Sequence, residues 1–110
     1  MGLVEVFGRA LREFRKKAGM VQEEFADVVG RERMSLLERG KRIPRLDEVD
    51  ALARSMGVHP LTLLTRAYQR QEPNKSLTDL LGLVSDQIQR LESPIFETGS
   101  KNPPSPTGPA

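Results

Sequence analysis

The stretch that decides the fold reads Gln22-Glu-Glu-Phe-Ala26 and then Gly30-Arg-Glu-Arg-Met34-Ser-Leu-Leu37-Glu-Arg-Gly40-Lys-Arg-Ile-Pro44. Apolar residues recur at helical spacing in both parts, and glycine interrupts the pattern at positions 30 and 40. We therefore predict a short helix over 21–29, a tight turn, and a second short helix over 31–39. A basic connector follows, and Pro44 disfavours helix in the residue before it.

A further helix is predicted before this pair. Phe7, Leu11 and Phe14 recur at the three- and four-residue spacing of one helix face, and Gly19 ends the pattern. In the central pair, Met34 and Leu37 are expected to face the core. Ala26 is expected to be the small residue where the two helices cross.

Three more helices are predicted after the connector, over 46–56, 60–71 and 77–92, and no strand is expected. Leu46 is expected on the apolar face of the first of them. Ser76 is a suitable N-cap for the last, with Asp79 three residues on. From Pro94 onward the chain is rich in proline, glycine and serine, which is typical of disorder. The predicted organisation is a domain over 1–71, a linker and helix over 72–92, and a disordered tail over 93–110.

Composition limits the chemistry that this chain can perform. It has 110 residues, no cysteine and one histidine, which excludes disulfides, thiol chemistry and cysteine zinc sites. That histidine, His59, precedes Pro60 and is interpreted as a cap or surface residue. Phosphate-binding glycine loops, nucleophile motifs and paired acids in a cleft are missing, so we expect no catalytic residue, no metal, no cofactor and no enzyme. No apolar run reaches the roughly 20 residues of a membrane helix, and a soluble cytoplasmic protein is expected.

Charge is unevenly distributed along the chain. Residues 1–45 contain 11 basic and 7 acidic side chains, a balance of +4, whereas residues 46–110 contain 6 and 8, a balance of −2. The first half is therefore expected to face any polyanionic partner.

The residues quoted above carry a family resemblance. Together with Leu11-Arg12, the segment Arg15 to Gly19, and the later Leu52-Ala53 and Gly57-Val58-His59-Pro60, they resemble the Cro and phage-repressor (XRE-type) helix-turn-helix family. The specific part of the resemblance is the ordered combination of Gln22, Glu38-Arg39-Gly40, Pro44 and Gly57-Val58. The chain departs from the family at Val21, where Ser or Thr is usual, and in an interval from Gln22 to Glu38 that is about two residues short.

The resemblance implies an all-α fold: a five-helix repressor-like bundle, here with an additional C-terminal helix and a tail. It implies that the third helix enters the DNA major groove and that Gln22 binds a backbone phosphate. Arg31, Glu32 and Leu36 would meet base edges. Arg15 and Glu38 would form an ion pair inside the domain.

Helix geometry agrees in part with these roles. With Met34 and Leu37 inward, a step of 100° per residue places three residues on the opposite, outer face: Glu32, Leu36 and Arg39. Arg31, Arg33 and Ser35 flank this face. Arginine reads guanine, glutamate accepts from cytosine, and leucine can contact the thymine methyl group. The predicted base contacts are Arg31, Glu32, Arg33 and Leu36. The predicted phosphate contacts, which position the helix without reading sequence, are Gln22, Ser35, Arg39, Lys41 and Arg42.

The predicted function is sequence-specific binding of double-stranded DNA by a homodimeric transcriptional repressor on a palindromic operator, nucleoid-associated when bound. The alternatives are the antitoxin of a toxin–antitoxin module, with a toxin or effector protein as partner, and the controller of a restriction–modification operon. An adaptor that has lost DNA binding is a further alternative, against which the retained basic residues argue.

The last helix is the predicted dimerisation element. Its apolar residues alternate at spacings of four and three, as in a coiled-coil seam, and are Leu77, Leu81, Val84, Ile88 and Leu91. At this length the helix is too short to be stable alone in water. Its apolar face must be covered by its own chain or, as we favour, by a second copy related by a two-fold axis.

Overall fold

The computed structural model describes residues 1–93, and the tail from Pro94 that the sequence predicts to be disordered lies outside the described residues. Within residues 1–93 the chain is all-α, without strands, which confirms the predicted fold class. It forms two compact units, one over Met1–Asn74 and one beginning at Lys75. The elements are α1 Leu3–Lys17, a 3₁₀ helix Gln22–Phe25, α2 Arg31–Glu38, α3 Leu46–Ser55, α4 Pro60–Gln71 and α5 Leu77–Glu92.

Glycines with positive φ bound α2 at both ends, as the sequence predicts. Gly30 is its N-cap with φ 85°, and Gly40 has φ 71° directly after its C-cap. Both values lie in a backbone region that is open to glycine and costly for other residues. The Lys41 amide donates to the Leu36 carbonyl at 2.9 Å, which closes the end of α2.

The second predicted helix is a 3₁₀ helix and not an α-helix. The Glu24 amide donates to the Val21 carbonyl and the Ala26 amide to the Glu23 carbonyl, at 3.0 and 3.1 Å. A 3₁₀ helix rises about 2.0 Å per residue against 1.5 Å in an α-helix, so fewer residues cover the same distance. Within the interval between Gln22 and Glu38, the 3₁₀ helix occupies Gln22–Phe25, and a turn over 26–29 leads to α2.

The core of the first unit lies between α1, the 3₁₀ helix and the three helices that follow. Its fully buried side chains include Leu11, Phe25, Met34, Leu37, Leu52 and Leu63. Two sequence expectations about packing are wrong: Leu46, at the first position of α3, is 81% exposed, and Ala26 is exposed.

A close helix approach occurs between another pair of helices, α1 and α2, at Gly8. A Cβ atom there would lie 2.5 Å from the Leu37 carbonyl oxygen and 2.6 Å from that of Glu38. Only a residue without a side chain allows α1 to pack so closely on the end of α2.

α1 also packs on α4, where an ion-pair cluster joins them. Arg66 donates to both carboxylate oxygens of Glu13 at 3.0 and 2.9 Å, and Arg70 donates at 2.9 Å. These hydrogen bonds lower the pKa of Glu13 to about 2. The cluster therefore holds the two helices together at every pH at which Glu13 is ionised.

The N-caps of α4 and α5 are His59 and Ser76, as the sequence indicates. His59 accepts from the Leu61 amide through Nδ1 at 3.0 Å, at the start of α4. Ser76 Oγ accepts from the Asp79 amide at 3.0 Å, and Asp79 accepts in return from the Ser76 amide at 3.2 Å. This reciprocal pair fixes the start of α5, whose bounds agree with the predicted 77–92.

Within the described part of the chain, none of the helices has the length and apolarity to cross a membrane. The same residues contain no group of three or more His, Asp or Glu side chains placed to hold a metal ion.

Candidate nucleic-acid interface

α2 presents one face to the core and the other to solvent. Met34 and Leu37 are fully buried, as their spacing predicts. Arg31, Glu32 and Arg39 are exposed. Ser35 and Leu36 are half-buried and flank the exposed face. A short helix with a buried apolar edge and charged residues on its outer edge is the geometry of a groove-reading helix.

A buried ionic network fixes this helix on the domain. The Arg15 guanidinium donates to both oxygens of Glu38, at 2.5 and 3.0 Å, and to the Met20 carbonyl at 2.9 Å. Glu38 is only 6% exposed, and the hydrogen bonds to it raise the pKa of Arg15. The structure therefore brings together the two residues expected to pair, and the pair locks α1 to α2. Because both partners are largely buried, removing one leaves the other charge unpaired in the interior.

Gln22 belongs to the same network. Its side-chain amide donates to Glu38 Oε1 at 3.0 Å, which joins the 3₁₀ helix to α2. An amide nitrogen carries two hydrogens, so one remains for a phosphate oxygen.

Arg33 is engaged inside the domain and is not on the open face. Its guanidinium donates to both oxygens of Glu48 in α3, at 2.7 and 2.8 Å, and to the Ile43 carbonyl at 3.2 Å. These bonds raise the pKa of Arg33 and lower that of Glu48. The sequence placed Arg33 among the base contacts because the helical period gives only an angular position. No local signal revealed its partner in another helix.

Arg31, in contrast, makes only a surface ion pair. Its Nε lies 3.3 Å from a Glu23 carboxylate oxygen, and the two side chains are 69% and 61% exposed. Such pairs contribute little in water. Arg31 can therefore exchange this partner for a base edge at small cost.

The connector after α2 forms a basic edge. Lys41 and Arg42 are exposed in the connector, and Arg39 is exposed at the C-cap of α2 just before it. Arg45, which the sequence reasoning did not assign to DNA, is exposed on the same connector and pairs with Asp47 at 3.0 Å. The signal for Arg45 was its place in the same basic run, directly after Pro44.

The five apolar residues predicted for dimerisation are all exposed on α5. Leu77, Leu81, Val84, Ile88 and Leu91 have exposed fractions of 44, 50, 55, 49 and 64%. The helix also carries an ion pair of Asp86 with Arg90. Each residue of an α-helix advances by about 100°, so this pair lies on the side of α5 opposite the apolar stripe.

Comparisons with known proteins agree with this geometry. Residues 11–63 match the sequence profile of a helix-turn-helix family. A crystal structure of the clp gene regulator ClgR from C. glutamicum is 27% identical, with a TM-score of 0.58, and the match covers 62% of this chain and 90% of that one. A second ClgR crystal structure, from Corynebacterium glutamicum, is 22% identical with a TM-score of 0.60 and covers 83% and 90%. None of the curated protein sequences matches the chain significantly.

Proposed function

Since residues 11–63 are a helix-turn-helix domain of the Cro/phage-repressor (XRE) type, we propose that this protein is a transcriptional regulator that binds a palindromic operator as a homodimer. Its simplest action is repression, because a dimer seated on an operator blocks access to the promoter. The observation that carries the proposal is the exposed face of α2, which the buried Arg15–Glu38 pair holds in one orientation. A fixed helix with a charged outer face can read the edges of bases.

The base contacts we propose are those of Arg31, Glu32 and Leu36. Arg31 stands at the first position of α2, and the N-terminal residues of a recognition helix are the ones that contact base edges. Arg33 is left out, because its Nε and Nη2 atoms donate to Glu48 and Ile43, which turns the guanidinium toward α3 and the connector. The phosphate contacts are those of the second amide hydrogen of Gln22 and of Ser35, Arg39, Lys41 and Arg42.

A second copy is the partner we propose for α5. One domain of this size buries roughly 600–1,000 Å² on DNA, which is little for finding an operator among non-specific sites. The exposed apolar stripe on α5, about 24 Å long over its 16 residues, is the natural surface for joining two domains. Of the four charged residues of α5, Asp79, Asp86 and Arg90 lie on the side opposite the stripe, and only Glu92, at the last position of the helix, lies near its edge.

The comparisons favour a transcriptional regulator over the two alternative roles, an antitoxin and a restriction–modification controller. The structural neighbour at 27% identity is named as a regulator of clp genes. Neither ClgR structure is named for a toxin partner or a restriction operon, so both of these stay alternatives from the sequence alone.

The salt dependence of DNA binding tests this proposal. Each phosphate contact releases counterions, so removing one should lower the slope of log K against log salt by about one unit. Lys41→Ala and Arg42→Ala should each do so on any duplex. Arg54→Ala, which removes an exposed positive charge at the other end of α3, is the control and should leave the slope unchanged. Wild-type slopes in both connector variants would contradict the assignment, and a wild-type protein that binds no duplex would overturn the function.

A further inference from the structure

Resting on the proposed function, we infer that Arg33 and Glu48 are positioning residues for the phosphate contacts. The pair holds the connector, residues 40–45, against α2, so that Lys41 and Arg42 meet the DNA backbone in register with the base-reading face. Neither residue touches DNA itself in this role.

The Arg33 guanidinium stands where three segments meet. It projects from α2, donates to both carboxylate oxygens of Glu48 in α3, and donates to the carbonyl of Ile43 in the connector at 3.2 Å. A planar guanidinium can satisfy these partners at once, whereas a lysine ammonium cannot reproduce two parallel bonds.

Glu48 ties the connector at a second point. Its Oε1 atom accepts from the Arg45 amide at 2.8 Å, in addition to the bond from Arg33. The same carboxylate therefore caps α3 and fixes the last residue of the connector.

The two anchor points leave Lys41 and Arg42 between fixed ends. On one side the Lys41 amide is bonded to the Leu36 carbonyl of α2 at 2.9 Å. On the other side Ile43 and Arg45 are bonded to the Arg33–Glu48 pair. The backbone of these two basic residues is therefore ordered before DNA arrives, and its ordering entropy does not have to be lost on binding.

Burial makes this ion pair different from the others on α3. The side chains of Arg33 and Glu48 are 31% and 13% exposed, whereas those of Arg54 and Asp50 on the same helix are 58% and 57% exposed. Solvent and salt screen the partly buried pair less. It can therefore keep its geometry at the salt concentrations at which phosphate contacts form.

The position of α2 in the groove affects which bases it can recognise. Phosphate contacts fix how a recognition helix sits in the groove, although they carry no sequence information themselves. Loosening the Arg33–Glu48 pair is therefore expected to weaken the Lys41 contact and to reduce discrimination between bases.

A double-mutant cycle between Glu48→Gln and Lys41→Ala tests the inference. Glutamine keeps the capping geometry at this position but removes the charge that binds Arg33. The probe is a labelled duplex of about 30 base pairs, which the wild-type protein has enriched from a pool of random sequences. We expect Lys41→Ala to weaken binding about five- to tenfold in the wild type and only about twofold in the Glu48→Gln background, because coupled residues are not additive.

Asp50→Asn is the matched control, because it removes an exposed ion pair from the same helix. In that background Lys41→Ala should keep its full wild-type effect. If circular dichroism shows that Glu48→Gln lowers the helix content, Arg33→Lys provides the same comparison by changing the other residue of the ion pair.

Equal losses from Lys41→Ala in the wild-type, Glu48→Gln and Arg33→Lys proteins would overturn the positioning role, since a purely structural pair affects stability without such coupling. This outcome is distinct from failure of the proposed function, in which the wild-type protein enriches no duplex at all.

Discussion

Gly8 shows how one position sets the distance between two helices. A Cβ atom there would meet two backbone carbonyl oxygens of α2 at 2.5 and 2.6 Å. Backbone atoms cannot rotate away as a side chain can, so α1 would have to move. We expect Gly8→Ala to lower the free energy of unfolding by about 1–3 kcal/mol, although alanine favours helix by up to about 1 kcal/mol.

Gly82 in α5 is the matched control for this substitution. A Cβ atom at Gly82 would meet no atom within 4 Å outside its own helix. Gly82→Ala should therefore raise helix content and stability by about 0.5–1 kcal/mol. Urea unfolding of both variants measures the difference, and a stabilised Gly8→Ala protein would show that the α1–α2 contact is not tight.

Single residues were predictable where a local pattern specifies them. The Ser76 cap needs only its neighbour Asp79, and Met34 and Leu37 need only the helical period. Arg33 needs Glu48, which lies on another helix, and the period of α2 contains no information about that helix. For the same reason the close approach of α1 to α2 at Gly8 was not predicted, because it depends on carbonyl oxygens of a helix distant in sequence.

At the scale of the element, the Arg31 end of α2 is where base recognition can be tested. Its ion pair with Glu23 is exposed, so Arg31→Ala should leave the melting temperature nearly unchanged. On the preferred duplex it should cost about 1–3 kcal/mol and relax the preference at one base position, with little change on random DNA. Binding to a panel of single-base variants measures this. A uniform loss over all sequences would make Arg31 a phosphate contact.

Element bounds followed from the sequence more closely than element types. Apolar spacing and caps placed α5 correctly, and glycines placed both ends of α2. The segment from Gln22 was predicted as helical, but over four residues the apolar spacing does not distinguish the period of a 3₁₀ helix from that of an α-helix. Leu46 was misplaced because an apolar residue in the first turn of a helix fits the period even where the neighbouring surface is open.

At the scale of the whole molecule, the basic residues concentrate in the unit that ends at Asn74, and the unpartnered apolar stripe lies in the unit that begins at Lys75. DNA binding and dimerisation are therefore expected to be separable by mutation. A change in the stripe should alter assembly and leave the fold of the first unit and its salt-dependent binding to random DNA intact.

Ile88→Glu in the full chain tests this separation. Ile88 is 49% exposed in the middle of the stripe, and a second copy would bury it against its own counterpart. Two glutamates facing each other across a dimer axis repel and lose hydration, so the variant should be a monomer by analytical ultracentrifugation. Gln89→Glu adds the same charge outside the stripe and should remain a dimer. On a palindromic duplex the monomer should lose about 10²-fold or more in affinity, because the second half-site no longer binds at the effective concentration of a linked domain. An Ile88→Glu protein that is still a tight dimer would place the interface on α3 and α4, where Leu46 and Leu61 are exposed.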